Sequence, residues 1–381
     1  MFRTRKFVRI AVPVALGGLA LGAALGTPSL ASAQSPTLPT VTTSQLVTDV
    51  LSTKPAPLSG TVVASASLLG SLSSLSSQLP GGVSLPGGTA TVNVWVGASR
   101  QFRAQILNSS SERDLYVNGS AAWLWNSSSN QAIELVPSST AQSSTVSPAM
   151  ATYDPQVEAT NLLKALAPTT SISLGTNTYV GGRPAYVLRL TPLDHNSLFG
   201  YVDIYVDAST SQVLGVDVVA SDGTQALSVK FSGVTFAAPD PNVFVFTPPA
   251  TASVKKEVLP STTTMSGSTV PSSSTPSSSS PSTSPLSSLQ GVKFTPYGHG
   301  WSTVAVSSSG AYSSLIAGLS TKDPQAVGLL KGALQSVSTP FGEGKFLSTP
   351  LVDVLVLPNG TILAGSVNQT ELLADASLVV G

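Results

Sequence analysis

The large N-terminal part of the chain is dominated by runs in which apolar and polar residues alternate with a period of two. Because side chains on a β-strand point alternately to the two faces of its sheet, such runs predict strands with one apolar face. Turn residues such as Asn118-Gly119 and Asp222-Gly223 separate the runs and predict consecutive antiparallel strands. The predicted strands are 90–96, 101–107, 114–117, 121–125, 132–136, 171–174, 185–191, 201–206, 213–219, 226–231 and 243–246.

Two predicted helices interrupt this strand pattern. One begins at the capping box formed by Thr42 and Gln45 and ends before Pro55. The other begins at Asp154 and ends before Pro168. The segment is therefore predicted to be mainly β with some α-helix. A sheet of this length must curve or close in order to manage its faces and edges.

A leucine-rich stretch between residues 68 and 79 differs from the rest of this segment. Leu72 and Leu75 belong to a row of leucines spaced three or four positions apart on a background of Ser and Gly. As a helix, the stretch would have one leucine face and one serine face. Three interpretations stay open: a helix packed in the core, a hairpin insertion, or a lid over an apolar cavity.

A segment rich in Ser, Thr and Pro divides the chain. It contains no charged residue between Val258 and Val292, and it has too little apolar surface to offset its conformational entropy. We expect residues 252–290 to form a semi-extended linker between a large domain, 34–251, and a small domain, 291–381. Helix and strand patterns both occur in the last segment, which predicts a small α+β C-terminal domain that docks on the large one.

Residues 1–33 have the order of a secretory signal peptide. Basic residues come first, an apolar run from Ile10 to Leu25 follows, and Ala31 and Ala33 supply small residues before Gln34. The apolar run is shorter than the roughly 20 residues of a membrane span. We therefore expect an exported, extracytoplasmic protein, in the cell envelope or secreted, which is tethered to the membrane only if this segment is not cleaved.

Composition and charge argue against several classes of function. Lys+Arg 18 and Asp+Glu 18 leave no net charge, which argues against nucleic acid as a partner. The chain has no Cys and only 2 His, so thiol catalysis, disulfides and a multi-histidine metal site are excluded. Asp203 and Asp207 fit the wetter face of a strand better than a catalytic pair. We predict no catalytic residue, no metal site and no cofactor.

The remaining candidate for a functional site is aromatic and aliphatic surface. Trp123 and Trp125 are two positions apart and point to one side of their predicted strand. Trp95 is included although it alternates with Val94 and Val96 and so lies on the other side of its strand. An apolar concavity formed by one face of the sheet is the predicted ligand site. The predicted groove and lid residues are Leu72, Leu75, Trp95, Phe102, Trp123, Trp125, Tyr186 and Leu188.

Four stretches, in this order and spacing, resemble the LolA-like fold. That fold is shared by bacterial lipoprotein carriers, the RseB/MucB regulators of envelope stress and mycobacterial lipid-binding lipoproteins. The four stretches are LYVNG leading to WLW (115–125), VGGRPAYVLRLTP (180–192), YVDIYVD leading to VL (201–214) and DPNVFVFTPP (240–249).

The resemblance implies a strongly curved antiparallel sheet, a half-open barrel, whose concave apolar face is covered by helices and binds acyl chains. It also implies a non-enzymatic binding protein, either a carrier or chaperone-like, whose partner is a lipid or an acylated protein. The alternative is an RseB/MucB-like regulator, in which a second domain follows the first and a membrane-bound anti-sigma factor or sensor is bound in response to lipid. A cell-wall enzyme is the third hypothesis.

Overall fold

The computed structural model describes residues 35–54, 56–67, 88–97, 100–107, 110–137, 168–259, 292–322 and 324–380. Over these ranges the protein is mainly β, with a large curved sheet that is not closed into a barrel and a second, smaller sheet. The predicted fold class is confirmed. The predicted helix at 154–167 and the leucine-rich stretch that contains Leu72 and Leu75 lie outside the described residues.

Thirteen strands of the described residues form the large sheet, in the order β13-β6-β5-β4-β3-β2-β1-β12-β11-β10-β9-β7, with β8 also paired to β9. Neighbouring strands are antiparallel except β13, which is parallel to β6. The strands are β1 (Leu58–Ala66), β2 (Gly88–Val96), β3 (Gln101–Leu107), β4 (Glu112–Asn118), β5 (Ala121–Asn126), β6 (Gln131–Pro137), β7 (Thr170–Leu174), β8 (Thr178–Val180), β9 (Arg183–Pro192), β10 (Phe199–Asp207), β11 (Val213–Ala220), β12 (Gln225–Thr235) and β13 (Ser253–Leu259).

Strand β1 joins the two halves of the large sheet, because it pairs with β2 on one side and with β12 on the other. The register of β1 with β12 shifts between Thr61 and Val62, and such a bulge bends the strand. The two backbones come close together at Gly60, where a Cβ would lie 2.6 Å from the carbonyl oxygen of Gly233. A larger residue at this position would push the two halves apart.

Two elements near the end of the large sheet differ from the prediction. The strand predicted at 243–246 does not form: Pro241–Phe244 is a 3-10 helix, and residues 245 and 246 follow it without belonging to a strand. Asp240 caps this helix by accepting a hydrogen bond of 2.9 Å from the backbone N–H of Asn242, and Pro241 has the fixed φ that a first helical position favours. The sheet also continues into β13, beyond the predicted domain boundary at residue 251. Alternation is hard to detect there because the strand carries several charged residues, as edge strands often do.

Helix α1 (Thr43–Ser52) forms where the sequence predicts it. The hydroxyl of Thr42 accepts a hydrogen bond of 3.1 Å from the backbone N–H of Gln45, as expected for an N-cap. Its apolar stripe, with Leu46 and Val47 buried, packs on the β9–β10 part of the large sheet. The helix therefore covers one region of one face of the sheet.

The second sheet has six strands in the described part of the chain, in the order β14-β15-β19-β18-β17-β16. A core that includes Val304, Leu355, Leu363 and Leu372 lies between this sheet and its helices. Its elements are β14 (Phe294–Tyr297), β15 (Val304–Ser307), α2 (Ala311–Lys322), α3 (Pro324–Ala333), β16 (Gln335–Thr339), β17 (Gly342–Ser348), β18 (Asp353–Val356), β19 (Ile362–Gly365) and α4 (Gln369–Val380).

The second sheet contacts the large one at the connection between β9 and β10 and at the first residues of β7 and β10. Ser197 in this connection forms an isolated β-bridge with Val367. Trp301 donates a hydrogen bond of 2.7 Å from its indole N–H to the hydroxyl of Thr170, and its ring lies 5.0 Å from that of Phe199. Backbone pairing, a side-chain hydrogen bond and ring packing together hold the two sheets against each other.

Candidate ligand-binding faces of the large sheet

The register of the strands divides the described groove residues between two faces. Phe102 and Arg103 are neighbours on β3 and therefore point to opposite sides. Trp95 pairs directly with Arg103, and the row that contains both continues across β4 to Trp123 on β5. Trp125 is two positions further along the same strand. The three tryptophans therefore lie on the face opposite to Phe102.

Tyr186 and Leu188 share the face of Phe102. We call this side the apolar face, defined by Phe102, Tyr186 and Leu188, and we call the other side, which carries Arg103 and Arg189, the ion-pair face. The assignment follows directly paired residues across β9, β10, β11, β12, β1 and β2: Leu188, Ile204, Val216, Val229, Ala64 and Ala90. The residues that continue it along β2 and β3 are Val92, Ile106 and Phe102.

Helix α1 covers the apolar face at β9 and β10. Leu46 and Val47 pack there against Tyr186 and Leu188, which are only 8% and 6% exposed. The Tyr186 hydroxyl donates a hydrogen bond of 2.9 Å to the carbonyl oxygen of Pro39. These two predicted groove residues are therefore packed core under the helix.

The β1–β6 half of the apolar face carries a continuous set of aliphatic and aromatic residues that are half-buried. Leu124 on β5 is 39% exposed. Charged residues on this half lie at its margins: Arg113 near the start of β4, and Lys255 and Glu257 on the edge strand β13. The half-buried residues are Val62, Val92, Val94, Val96, Phe102, Ile106, Leu115, Val117, Ile133 and Leu135.

On the ion-pair face, the chain's own Phe246 packs on the predicted tryptophans. Its ring stacks at 4.9 Å on Tyr116, and its centroid lies 5.7 Å and 5.9 Å from those of Trp123 and Trp125. Phe246 belongs to the segment that follows the 3-10 helix. The alternation of Trp123 and Trp125 thus reflects a contact within the fold, and no local pattern around the two tryptophans indicates the partner ring.

Arg103 lies between two rings on the same face. Its guanidinium carbon is 4.9 Å from the ring centroid of Trp95 and 4.6 Å from that of Tyr116, within the range of cation–π attraction. It also donates two hydrogen bonds of 3.1 Å to Oδ1 of Asp114. Trp95 therefore serves as one wall of a buried ion pair.

Asp114 is 3% exposed, and its Oδ2 atom has no hydrogen-bond partner among the described residues. Burial and the neighbouring carboxyl group of Glu112 raise the pKa of Asp114 to about 7, although Arg103 opposes this shift. The neighbouring carboxyl group of Asp114 lowers the pKa of Glu112. The two carboxyl groups therefore titrate as a pair.

A second group of ion pairs lies on β9 to β12. Arg189 donates hydrogen bonds of 2.7 and 2.6 Å to the two carboxylate oxygens of Asp203, and Arg183 forms a two-pronged ion pair with Asp207. The carboxylates are 6% and 1% exposed. The interpretation of Asp203 and Asp207 as the wetter face of a strand is therefore wrong. Each is buried because an arginine of the adjacent strand neutralises it.

The described residues hold no group of three or more His, Asp or Glu side chains arranged to bind a metal ion. No helix of the described part combines the length and apolarity of a membrane span.

The chain is similar to solved structures of MucB and of LolA superfamily proteins. No protein-family model matches the sequence, and no curated protein matches it. A chain of the MucA/MucB complex of Pseudomonas aeruginosa is 16% identical, with a TM-score of 0.41, over 87% of this chain and 96% of that chain. A LolA superfamily protein from Nitrosomonas europaea is 11% identical, with a TM-score of 0.21, over 54% of this chain and 99% of that chain. MucB and the LolA superfamily proteins belong to the groups that share the LolA-like fold, which this sequence resembles.

Proposed function

We propose that the protein is an extracytoplasmic, non-enzymatic binding protein that holds an acyl chain, or the acylated end of a lipoprotein, against the β1–β6 half of the apolar face. The observation that supports this proposal is the continuous half-buried apolar surface, whose charged residues lie at its margins. Six strands spaced about 4.8 Å apart give a surface roughly 24 Å across. Each methylene buried there contributes about 0.8 kcal/mol.

The proposed site differs from the predicted one in its residues. Phe102 stays in it, and Leu124, Ile106 and Leu115 join it because they share its face and are not in the core beneath α1. The three tryptophans are left out because they face the other side. Leu72 and Leu75 remain predictions.

The test compares two leucines on opposite faces. Leu124 on the apolar face is 39% exposed, and Leu107, on the other side of the sheet at the end of β3, is 56% exposed. Uptake of a fluorescent fatty acid by the full mature chain should fall in Leu124→Glu and stay unchanged in Leu107→Glu. Native mass spectrometry of protein from its own host should also release a lipid. If the wild-type chain takes up no fatty acid and carries no lipid, the proposal fails.

A second proposal is an RseB/MucB-like regulator that binds a membrane-bound protein. The observation that favours it is the second sheet, which is docked on the large one through Trp301 and the Ser197 bridge. Capture of a membrane protein by the full chain should then weaken when exposed apolar residues of this region, such as Phe341 and Leu378, are changed to Asp. Capture that both variants leave unchanged would contradict this second proposal.

A further inference from the structure

A cavity of about 670 Å³ opens on the ion-pair face, across the sheet from the proposed acyl site. Strands β7 and β8 with their connecting loop form one wall, and β9, β10 and β12 supply its charged residues. Its volume falls within the usual range for small-molecule sites. The residues that carry the argument are Tyr179, Arg189, Asp203, Tyr205 and Lys230.

The charges in and beneath this cavity are already paired. Arg189 is bound to Asp203 through two hydrogen bonds, and Lys230 donates one of 2.9 Å to Asp217. Asp217 also accepts a hydrogen bond of 2.7 Å from the Tyr205 hydroxyl. Two cations and two anions leave this group without net charge. An ionic ligand would therefore have to compete with a hydrogen-bonded partner that the protein itself supplies.

On Arg189 and Lys230, some N–H groups make no hydrogen bond within the described residues. A guanidinium has five N–H groups and an ammonium has three. Within the described residues, Arg189 uses two of them and Lys230 uses one. Their side chains are 37% and 36% exposed, whereas those of Asp203 and Asp217 are 8% and 9% exposed. The accessible polar atoms of these four charged side chains are thus mainly N–H donors suited to oxygen acceptors, and an apolar ligand would leave them unsatisfied.

The cavity also has aromatic walls. Tyr179 is 56% exposed at the rim, and the Tyr205 ring lines the interior. Burial and the hydrogen bond to Asp217 raise the pKa of Tyr205, so this residue stays neutral at physiological pH. The cavity therefore combines flat aromatic rings with N–H donors, and its group of charged side chains has no net charge. These features suit a ring-shaped ligand that has hydroxyl groups at its edge and C–H groups on its face.

We propose that this cavity binds a neutral saccharide. The sugar hydroxyl oxygens accept hydrogen bonds from Arg189 and Lys230, and the sugar ring packs on Tyr179. The site is separate from the acyl site, because it lies on the opposite face of the sheet. The proposal does not rest on lipid binding.

The test is calorimetric titration of the full mature chain with three probes: cellobiose, chitobiose and maltose. We expect at least one of them to bind with a Kd in the millimolar range. Tyr179→Ala should weaken binding by about tenfold, whereas Tyr297→Ala, an exposed tyrosine of the second sheet, should have no effect. Both tyrosines are exposed, so neither change should unfold the protein, and fatty acid uptake should be the same in both variants.

Three results would overturn the proposal. The first would be that none of the three disaccharides binds at concentrations up to about 10 mM. The second would be sugar binding that is unchanged in both Tyr179→Ala and Lys230→Met, which would locate the binding site elsewhere. The third would be that citrate binds more tightly than each of the sugars and competes with them, which would make the cavity an anion site.

Discussion

The apolar face and the ion-pair face of the large sheet differ in the contacts that the described part of the chain makes on them. On the ion-pair face the protein pairs its own charges and covers two of the tryptophans, because carboxylates bind Arg103 and Arg189 and Phe246 packs on Trp123 and Trp125. On the β1–β6 half of the apolar face, the aliphatic residues stay half-buried. Within the described residues, the proposed acyl ligand would bind there without breaking a hydrogen bond or an ion pair of the ion-pair face. A row of aromatic residues is by itself a poor guide to such a site.

The largest expected effect comes from breaking a buried ion pair of the ion-pair face. Arg183→Met leaves Asp207, 1% exposed, without its cation, and we expect a loss of about 3–5 kcal/mol in the free energy of unfolding. The matched control is Lys256→Met, because Lys256 is exposed and pairs with Glu134 at 2.9 Å. That change should cost at most about 1 kcal/mol. Urea unfolding measures both, and equal losses would contradict the contrast between buried and exposed pairs.

Phe246→Ala tests whether the tryptophans serve the fold. Removing this ring from Tyr116 and Trp123 should destabilise the protein by about 2–3 kcal/mol and shift the tryptophan fluorescence towards that of exposed indole. Fatty acid uptake should not change at temperatures where the variant is folded. A loss of uptake in this variant, with unchanged stability, would return the ligand site to the ion-pair face.

Leu124→Glu has a smaller expected effect, which is confined to binding. One buried charge on the apolar face should weaken fatty acid binding by about tenfold, or roughly 1.4 kcal/mol, with little change in the urea midpoint because Leu124 is 39% exposed. Leu107→Glu is the control. A parallel loss in both variants would mean that negative charge, rather than position, reduces uptake.

The last prediction concerns pH. Because the pKa of Asp114 is raised from 3.8 to about 7 in the folded protein, the folded state binds more protons than the unfolded state between these values. Its stabilising contribution is therefore complete below about pH 4 and is lost as the pH rises through about 7. Asp114→Asn should flatten the decrease in Tm over this range, because the variant no longer exchanges that proton. A decrease in Tm that persists unchanged in the variant would assign the effect to another group.

Much of the large sheet can be predicted from local sequence, but the local sequence does not show which residues of different strands share a face. Alternation shows that Trp123 and Trp125 point the same way, but only the register of β5 with β4 and of β4 with β3 shows that they point away from Phe102. The burial of Asp203 depends on Arg189, which belongs to the preceding strand. Helix α1 was predictable because Thr42 and its hydrogen-bond partner are three residues apart.

The pairing of β1 with β12 also has a consequence for the time course of folding. The hydrogen bond of 3.2 Å from the Ser232 hydroxyl to the carbonyl oxygen of Thr61 joins residues 171 positions apart. Strands β2 to β5 pair only with near neighbours in the sequence and need no such distant partner. Because non-local pairing slows folding, we expect the local meander to form first and the outer edge of β1 to stay open until β12 arrives. During that interval the half-finished sheet presents an open edge to other chains, which makes β1 the place where folding competes with aggregation.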